Sequence, residues 1–451
     1  MRCLLVTETF PCTSQTFVSA QAAGLARRGH RVDVLAEYRP GPREPVHPEV
    51  LASGLLDRTF YVDLPPEAEA GLTAWPPWAV TWPPGSPTPV RNVRRWLSAL
   101  PAVARVGLTS PSSAVSCLDA RAHGFPAASL AMLYRAGSAA RWSGEVDVVH
   151  SHFGPVASNY AFVPELLHAP LVVTFHGYDF SEWPREHGSD VYSALFRTAS
   201  AVTVNSEHAR RRVAALGCPP SLLHRLNVGI DLTGHPFRPR VARPGEDVRL
   251  VTVARLVEKK GHAVALEAVA RMRAATGLAL RYDVVGDGPD RPLLEAWAAE
   301  LGLGDAVTFH GALASDAVAR LLDAAHVFVL ASTTASNGDE EGTPVALMEA
   351  QARGLPVVST FHSGIPEVVL HGRSGRLARE GDALALAREL QAVVLDPQAW
   401  PGMGAAGRAH IEERYDADRL LRQLEDIYEG VASEHRATRH VRRPVLLGGA
   451  R

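Results

Sequence analysis

Two carboxylates, Glu341 and Glu349, stand eight positions apart in the stretch Gly-Asp-Glu-Glu-Gly-Thr-Pro-Val-Ala-Leu-Met-Glu-Ala at 338–350. Between them Gly342, Thr343 and Pro344 make a turn that can open a helix. Thr343 suits the N-cap and Pro344 the first helical position, because proline lacks only a donor that a helix start leaves unpaired. That arrangement predicts Glu341 on the loop ahead and Glu349 in the second helical turn. A helix start also offers backbone N–H groups to an anion. Carboxylates accept from sugar hydroxyls and N–H groups donate to phosphate, so the stretch suits a nucleotide-sugar. Taken alone, it is equally a capped surface helix with two solvated acids.

Cations and glycines elsewhere fit the same ligand. Arg255 and Lys260 stand in glycine-rich company after an apolar run. A diphosphate needs fixed positive charge, and more as a leaving group departs; an Arg fork and a Lys point charge supply it. Gly286 and Gly288, in Gly-Asp-Gly-Pro, allow close backbone approach to a ligand. His310-Gly311 and the loop at Gly364 follow further apolar runs, the latter with N–H donors at a helix start. In the first half, His176 follows the run 171–175 and precedes Gly177, which aims its ring at a cleft. A lone histidine there is also a common structural residue. Thr9, Phe10, Ser14, Gln15 and Thr16 follow the first apolar run in the same way.

The elements that must position these groups are short apolar strands alternating with helices. Runs at 4–7, 31–36, 146–149, 171–175 and 201–205 precede a linker at 235–245. Runs at 249–254, 280–285, 307–309, 327–330 and 357–359 follow it. Such alternation predicts α/β architecture, with parallel sheets covered on both faces and ligands beyond the carboxyl ends of strands. The expected division is a first domain at 1–240, a second at 241–412, a C-terminal helix at 413–432 and a flexible tail at 433–451. Residues 65–128 break the rhythm, with Trp75, Trp78 and Trp82 among prolines and Arg91, Arg94, Arg95 and Trp96 on a helix. Tryptophan beside arginine suits a membrane interface or an amphiphilic acceptor, and equally an irregular insertion packing its own aromatics.

Composition sets the bounds. With 451 residues, 46% hydrophobic and 21% charged, the chain reads as a soluble globular protein of two or three domains. A net charge of -2 gives no pull toward nucleic acid. Four scattered cysteines suggest neither zinc nor a disulfide framework and fit a reducing compartment. No apolar run reaches spanning length, so a cytoplasmic protein is expected, with peripheral contact at the inner membrane face as the less frequent alternative that the insertion leaves open.

Several motifs together carry a family resemblance. They are Ala254-Arg255 with Lys260-Gly261, Gly286-Asp287-Gly288-Pro289, Phe309-His310-Gly311, and Glu341-x7-Glu349 followed by Ala-Arg-Gly-Leu-Pro-Val-Val at 352–358. In this order they resemble the retaining glycosyltransferases of family 4, which have the GT-B fold of two Rossmann-like domains facing each other across a cleft. His-Phe-Gly at 152–154, His-Gly-Tyr-Asp at 176–179 and Asn-Val-Gly-Ile-Asp at 227–231 extend the match more loosely into the first domain. The versions Gly-Asp-x-Glu-Gly-Thr-Pro and His-Ser-Gly-Ile-Pro-Glu resemble the exopolysaccharide branch, the colanic acid and amylovoran type.

The resemblance implies roles. Glu341 would contact donor-sugar hydroxyls and Glu349 the ribose. Arg255 and Lys260 would hold the diphosphate, with Gly286, Gly288, Gly342, Thr343 and Pro344 around the donor and the backbone from His310 and Gly311 to Leu313 reading the base. His176 would sit near the reacting sugar, and Ser14, Gln15, Thr16, His152 and Asp179 on the acceptor side. The last helix would cross back to the first domain. The family uses no metal and no cofactor, and the nucleotide-sugar is a substrate. The implied reaction moves a hexosyl unit, with a UDP-sugar favoured over GDP-mannose, to a hydroxyl of a glycan, lipid-linked or secondary-metabolite acceptor. Asp339 and Glu340 are expected on an exposed loop. The Gly-Gly pair common after the first strand of the family is absent, which puts phosphate contacts from that loop in doubt. A nucleotide-sugar epimerase, a phosphorolytic enzyme and a non-catalytic nucleotide-sugar sensor are the rival readings.

Overall fold

The protein is described from a computed structural model that covers residues 1–12, 15–41, 46–62, 89–119, 127, 130–243 and 245–442. The first domain holds a seven-stranded sheet, β1 (Arg2–Thr9), β2 (Arg31–Tyr38), β3 (Thr59–Tyr61), β4 (Val148–His152), β5 (Leu171–Phe175), β6 (Ala201–Val204) and β7 (Leu223–Arg225). Its spatial order is β3-β2-β1-β4-β5-β6-β7 and every pairing is parallel. The second domain holds β8 (Val248–Val253), β9 (Leu280–Val285), β10 (Val307–Gly311), β11 (Val327–Val329), β12 (Val357–Thr360) and β13 (Gly375–Ala378). These run in the order β10-β9-β8-β11-β12-β13, again all parallel. β4 and β5 are buried along their whole length, as strands covered by helices on both faces must be.

This is the doubly wound α/β architecture expected, in two Rossmann-like units. In each sheet the order reverses at the first strand, and ligands gather at such a switch point. In-line registers put chemistry-bearing residues on one edge. His152 pairs opposite Thr174 and Phe175 opposite Val204, so His152, His176 and Asn205 share the carboxyl edge of the first sheet. Val253 pairs with Val285, so Arg255 and Gly286 share that of the second.

The C-terminal helix, Ala417–Arg442, returns to the first domain. A bridge between Ile230 and Asp416 starts it, and Leu420, Leu421, Leu424, Tyr428 and Val431 enter the core of the β1–β2 face. Each such side chain contributes about 1.5–3 kcal/mol when fully buried, which fastens the end of the chain across the domain boundary. Residues 433–442, expected as part of a flexible tail, continue this helix. Residues 443–451 lie outside the described residues, as does the Trp-rich part of the insertion at 63–88. The rest of the insertion begins with two regular helices, Pro89–Thr109 and Pro111–Leu118, the second capped by the Ser110 hydroxyl accepting from Ser113 N–H. Among the described residues no helix is long and apolar enough to cross a membrane.

Candidate active site

The acidic loop after β11 is held from several sides. Ser359 and Thr360 hydroxyls on β12 donate to the Leu330 and Ser332 carbonyls, both at 2.6 Å, and stitch the loop's start to the sheet. The turn Glu258–Lys260 is tied to it, Thr333 N–H donating to the Lys259 carbonyl at 2.9 Å and Ser336 Oγ to Glu258 Oε2 at 2.7 Å. Gly261 has φ +66°, and a Cβ there would strike the Ala331 carbonyl, so only glycine lets the turn come this close. Lys260 Nζ then donates to Glu341 Oε2 in a largely buried ion pair, and Lys259 pairs with Asp339 at 2.7 Å. Burial alone would raise the Glu341 carboxyl; Lys260 and Lys259 outweigh it and hold it below the usual carboxylate range. Glu341 N–H donates to His362 Nε2 at 3.1 Å.

The helix opens one residue later than expected. It runs Val345–Ala352 with Pro344 at the N-cap. Thr343 does not cap it: its buried hydroxyl donates to the Asn205 carbonyl at 3.4 Å, across the cleft. Gly342 lies against the His176 carbonyl and within 2.8 Å, for an added Cβ, of Asn205 Nδ2. Asn205 Nδ2 itself donates to the His176 carbonyl at 3.2 Å. Thus Glu341 and His176, from opposite domains, are brought together through the Gly342 backbone.

The first-domain wall is a buried polar layer. The Asp179 carboxylate accepts N–H groups from His176 (2.9 Å), Gly177 (2.8 Å) and Gly154 (3.2 Å). Burial pushes its pKa up to about 6 against those hydrogen bonds. His152 Nδ1 and His176 Nε2 are 3.1 Å apart, and the His150, His152 and His176 rings stack in series. His150 closes the series through Tyr428 OH (2.7 Å) and Thr174 Oγ1 (2.6 Å). Burial lowers all three imidazoles, His152 to about 3, so the rings are neutral near pH 7. Asp179 and His152 were expected as acceptor contacts. Both are fully buried behind His176, Asp179 accepting its backbone N–H and His152 Nδ1 facing its Nε2. The His176 ring is also nearly buried, packed by Phe17 (4.4 Å) and Phe153 (4.6 Å), and it borders a mainly apolar cavity with Asn205, Leu420 and Leu424.

The domains also meet directly beside the site. Glu340, expected on an exposed loop, is largely buried between His208 Nε2 (2.7 Å) and Arg212 (3.4 Å) of the first domain. Asp339 is likewise paired rather than exposed. Asn337 donates to Glu182 at 2.7 Å, and Glu367 accepts from Glu207 N–H at 2.8 Å and pairs with Arg225 at 2.7 Å.

Around this centre, the Arg255 side chain is exposed at the edge of the second sheet. Gly286 and Gly288 meet their own domain: added Cβ atoms would strike the Ala254 and Leu256 carbonyls, so the close approach is of loop to loop. Gly286 N–H donates to the Gly311 carbonyl at 2.9 Å. His310 Nε2 is 2.6 Å from Asp283, and Leu313 is exposed. Glu349 lies in the second turn as expected, 3.9 Å from His235 of the linker, and burial raises its pKa against the pull of Arg353. Gln15 is the N-cap of the helix Thr16–Arg27, without a side-chain capping bond, and Thr16 is exposed. Ser14 lies outside the described residues. Asn205, His208 and Glu380 escaped the sequence reading, and His362 entered it only as part of the His-Ser-Gly-Ile-Pro-Glu motif, without a role. Asn205 alone had a local signal, a polar residue closing an apolar run.

Residues 112–233 match the family described as Glycosyltransferase Family 4, and residues 236–410 match Glycosyl transferases group 1. The putative colanic acid biosynthesis glycosyltransferase WcaL of Salmonella typhimurium is 32% identical over 428 residues, covering 94% of this chain and 98% of WcaL. The amylovoran biosynthesis glycosyltransferase AmsK of Erwinia amylovora is 32% identical over 434 residues, covering 96% of this chain and 100% of AmsK. Among solved structures, Anabaena HepE in complex with UDP superposes with a TM-score of 0.66 at 17% identity, covering 95% of this chain and 100% of HepE.

Proposed function

The chain belongs to glycosyltransferase family 4, and from that premise we propose that it moves a hexosyl unit from a UDP-sugar to a hydroxyl of a lipid-linked exopolysaccharide intermediate, retaining the anomeric configuration. The observation that carries the reading is the Lys260–Glu341 ion pair, set at the sheet edge and joined through Gly342 to His176. Before donor binds, each member occupies the other. A diphosphate would draw Lys260 away beside Arg255, freeing an ionised Glu341 to accept from sugar hydroxyls. Glu349 takes the ribose, and the backbone from His310 to Leu313 the base.

In the reaction the bond from the anomeric carbon to the phosphate oxygen breaks. The acceptor oxygen bonds on the same face, and its proton passes to the departing phosphate. Arg255 and Lys260 offset the charge that develops there, so the reading calls for no metal. It calls for no protein nucleophile either. The neutral His176 contributes shape and hydrogen bonding rather than charge. The UDP complex of HepE and the exopolysaccharide roles in the names of WcaL and AmsK support the choice of donor and acceptor class.

The insertion supports an acceptor presented at a membrane. Leu97, Leu100, Leu108 and Val115 are exposed, Leu108 at 90%. The sequence 89–118 carries Arg91, Arg94, Arg95 and Arg105 and no acidic residue. A basic, apolar-faced helix pair suits the anionic inner surface of a bilayer. The test of the whole reading is a donor screen. UDP-sugars should raise the melting temperature and give nucleotide release with a lipid-linked acceptor, and proton NMR of the product should show the donor's anomeric configuration. Stabilisation by GDP-mannose alone, or an inverted product, would sink it.

A further inference from the structure

We propose that His362, held by Glu380, is a positioning residue that keeps the Glu341 backbone in place while the donor sugar is read. The inference rests on the donor-site reading above.

The hydrogen bonds fix the state of the ring. A backbone N–H can only donate, so His362 Nε2, 3.1 Å from Glu341 N, carries the lone pair. Nδ1 therefore bears the proton and donates to Glu380 Oε2 at 2.5 Å. Glu380 Oε1 accepts from Thr334 Oγ1 at 3.2 Å, which ties the carboxylate to the same loop. The His362 side chain is 3% exposed and that of Glu380 37%, so the acid anchors a ring sealed beneath it.

What makes the grip matter is the fate of the others. Lys260 is the side-chain partner of Glu341, and the diphosphate competes for it. The Gly342 contact is to the His176 carbonyl of the other domain, so any separation of the domains would break it. The His362 bond joins Glu341 to the loop after β12 in its own domain and does not depend on either event. A second-layer histidine whose other nitrogen is fixed by a carboxylate is a rigid acceptor, and rigidity of this kind decides how well a carboxylate meets a hydroxyl.

Two measurements on the full chain test the proposal. In the wild-type protein, nitrogen NMR of labelled histidine should show His362 Nε2 unprotonated and Nδ1 protonated. Calorimetric titration then compares UDP with UDP-glucose. His362→Ala should weaken UDP-glucose about tenfold while moving UDP less than about twofold, since only the sugar meets Glu341. His362→Gln, which returns an acceptor near Nε2, should recover most of the loss. Glu380→Ala, at a half-exposed position, should shift UDP-glucose in the same direction. A protonated Nε2, or equal weakening of UDP and UDP-glucose in His362→Ala and Glu380→Ala, overturns the proposal. Wild-type protein that binds neither nucleotide defeats the donor reading instead, and His362 is then decided by the ring nitrogens.

Discussion

Lys260 Nζ and Glu341 Oε2, 81 residues apart in the chain, form one ion pair in which each side chain is less than one-fifth exposed. Both are groups a nucleotide-sugar would use, and each satisfies the other until it arrives. Removing either partner leaves a poorly solvated charge. Lys260→Ala should cut kcat/KM by about 10²–10³-fold through lost stabilisation of the departing diphosphate. Glu341→Ala should cost as much through the sugar. In the double variant the losses should fall well short of additive, because the pair acts as a unit. Steady-state nucleotide release reads all three, and unchanged turnover in both single variants would remove the site assignment.

Gly342→Ala probes the junction of the domains. Its Cβ would strike the His176 carbonyl and Asn205 Nδ2, a backbone atom and a hydrogen-bonded amide that cannot swing away. The loop must shift, and with it Glu341. A displacement of even ~1 Å costs roughly 10²-fold in rate. Stability should fall only by about 1–3 kcal/mol, the range of a local overpacking. A rate loss no larger than the stability loss predicts would show that this junction does not position the chemistry.

The stacked histidines give the fold a sign for its acid sensitivity. Each ring has a folded pKa below its ordinary 6.5, about 3 for His152. Their stabilising contribution is therefore complete above pH 6.5 and is lost as pH falls toward the folded values, about 1.4 kcal/mol per pH unit for each ring. Asp179 runs the other way. Raised from 3.8 to about 6, it makes the folded chain the better proton acceptor between those values and offsets about one ring. The stack and Asp179 together lose roughly 2.8 kcal/mol per unit near pH 5, and His235 and His262, both lowered by burial to about 4, add to the loss. Urea unfolding at pH 7, 6 and 5 measures it, and His152→Gln should flatten the slope by about 1.4 kcal/mol per unit. An unchanged slope would mean the ring is charged in the folded chain.

These residues also show where the sequence stops being legible. The strands were readable because apolar runs are local, and strand ends follow from them; hence His176, Arg255 and Gly286 fell on the sheet edges as expected. Asp179 was visible, but its grip on backbone N–H groups was not. A carboxylate three residues past a strand end can turn back on its own backbone N–H groups, and this one does. His362–Glu380 and His208–Glu340 join residues 18 and 132 positions apart, and no local pattern encodes such pairs. The helix at 433–442 was missed because its apolar stripe stops at Val431 while helix-compatible residues run on.

Glu340 ties the cleft shut. Burial would raise its carboxyl, but His208 and Arg212 lower it overall, so it is ionised between two bases of the other domain. A partly exposed pair of this kind is worth about 0.5–1 kcal/mol. Glu340→Ala should therefore raise donor KM about two- to fivefold, leave kcat nearly unchanged, and expand the particle in small-angle scattering. The same rise in KM should appear in wild-type protein at high salt, since the side chains of His208 and Arg212 are solvent-accessible. A variant that scatters like wild type but loses kcat would place Glu340 in the chemistry instead.

The insertion yields the last prediction. Leu100 and Leu108 stand 56% and 90% exposed on a helix whose sequence carries four arginines and no acid. An arginine near an anionic surface contributes ~1 kcal/mol, and a leucine entering the acyl boundary about as much or more. The protein should co-sediment with vesicles containing anionic lipid and not with zwitterionic ones, and the binding should weaken steeply with salt. Leu108→Asp with Leu100→Asp should lower that binding at least ~10-fold while leaving the melting temperature almost unmoved, because neither side chain packs inside the fold. Turnover of a water-soluble acceptor analogue should survive the double change, and turnover of the lipid-linked acceptor should not. Equal loss on both acceptors would place the helix in the active site rather than at a membrane.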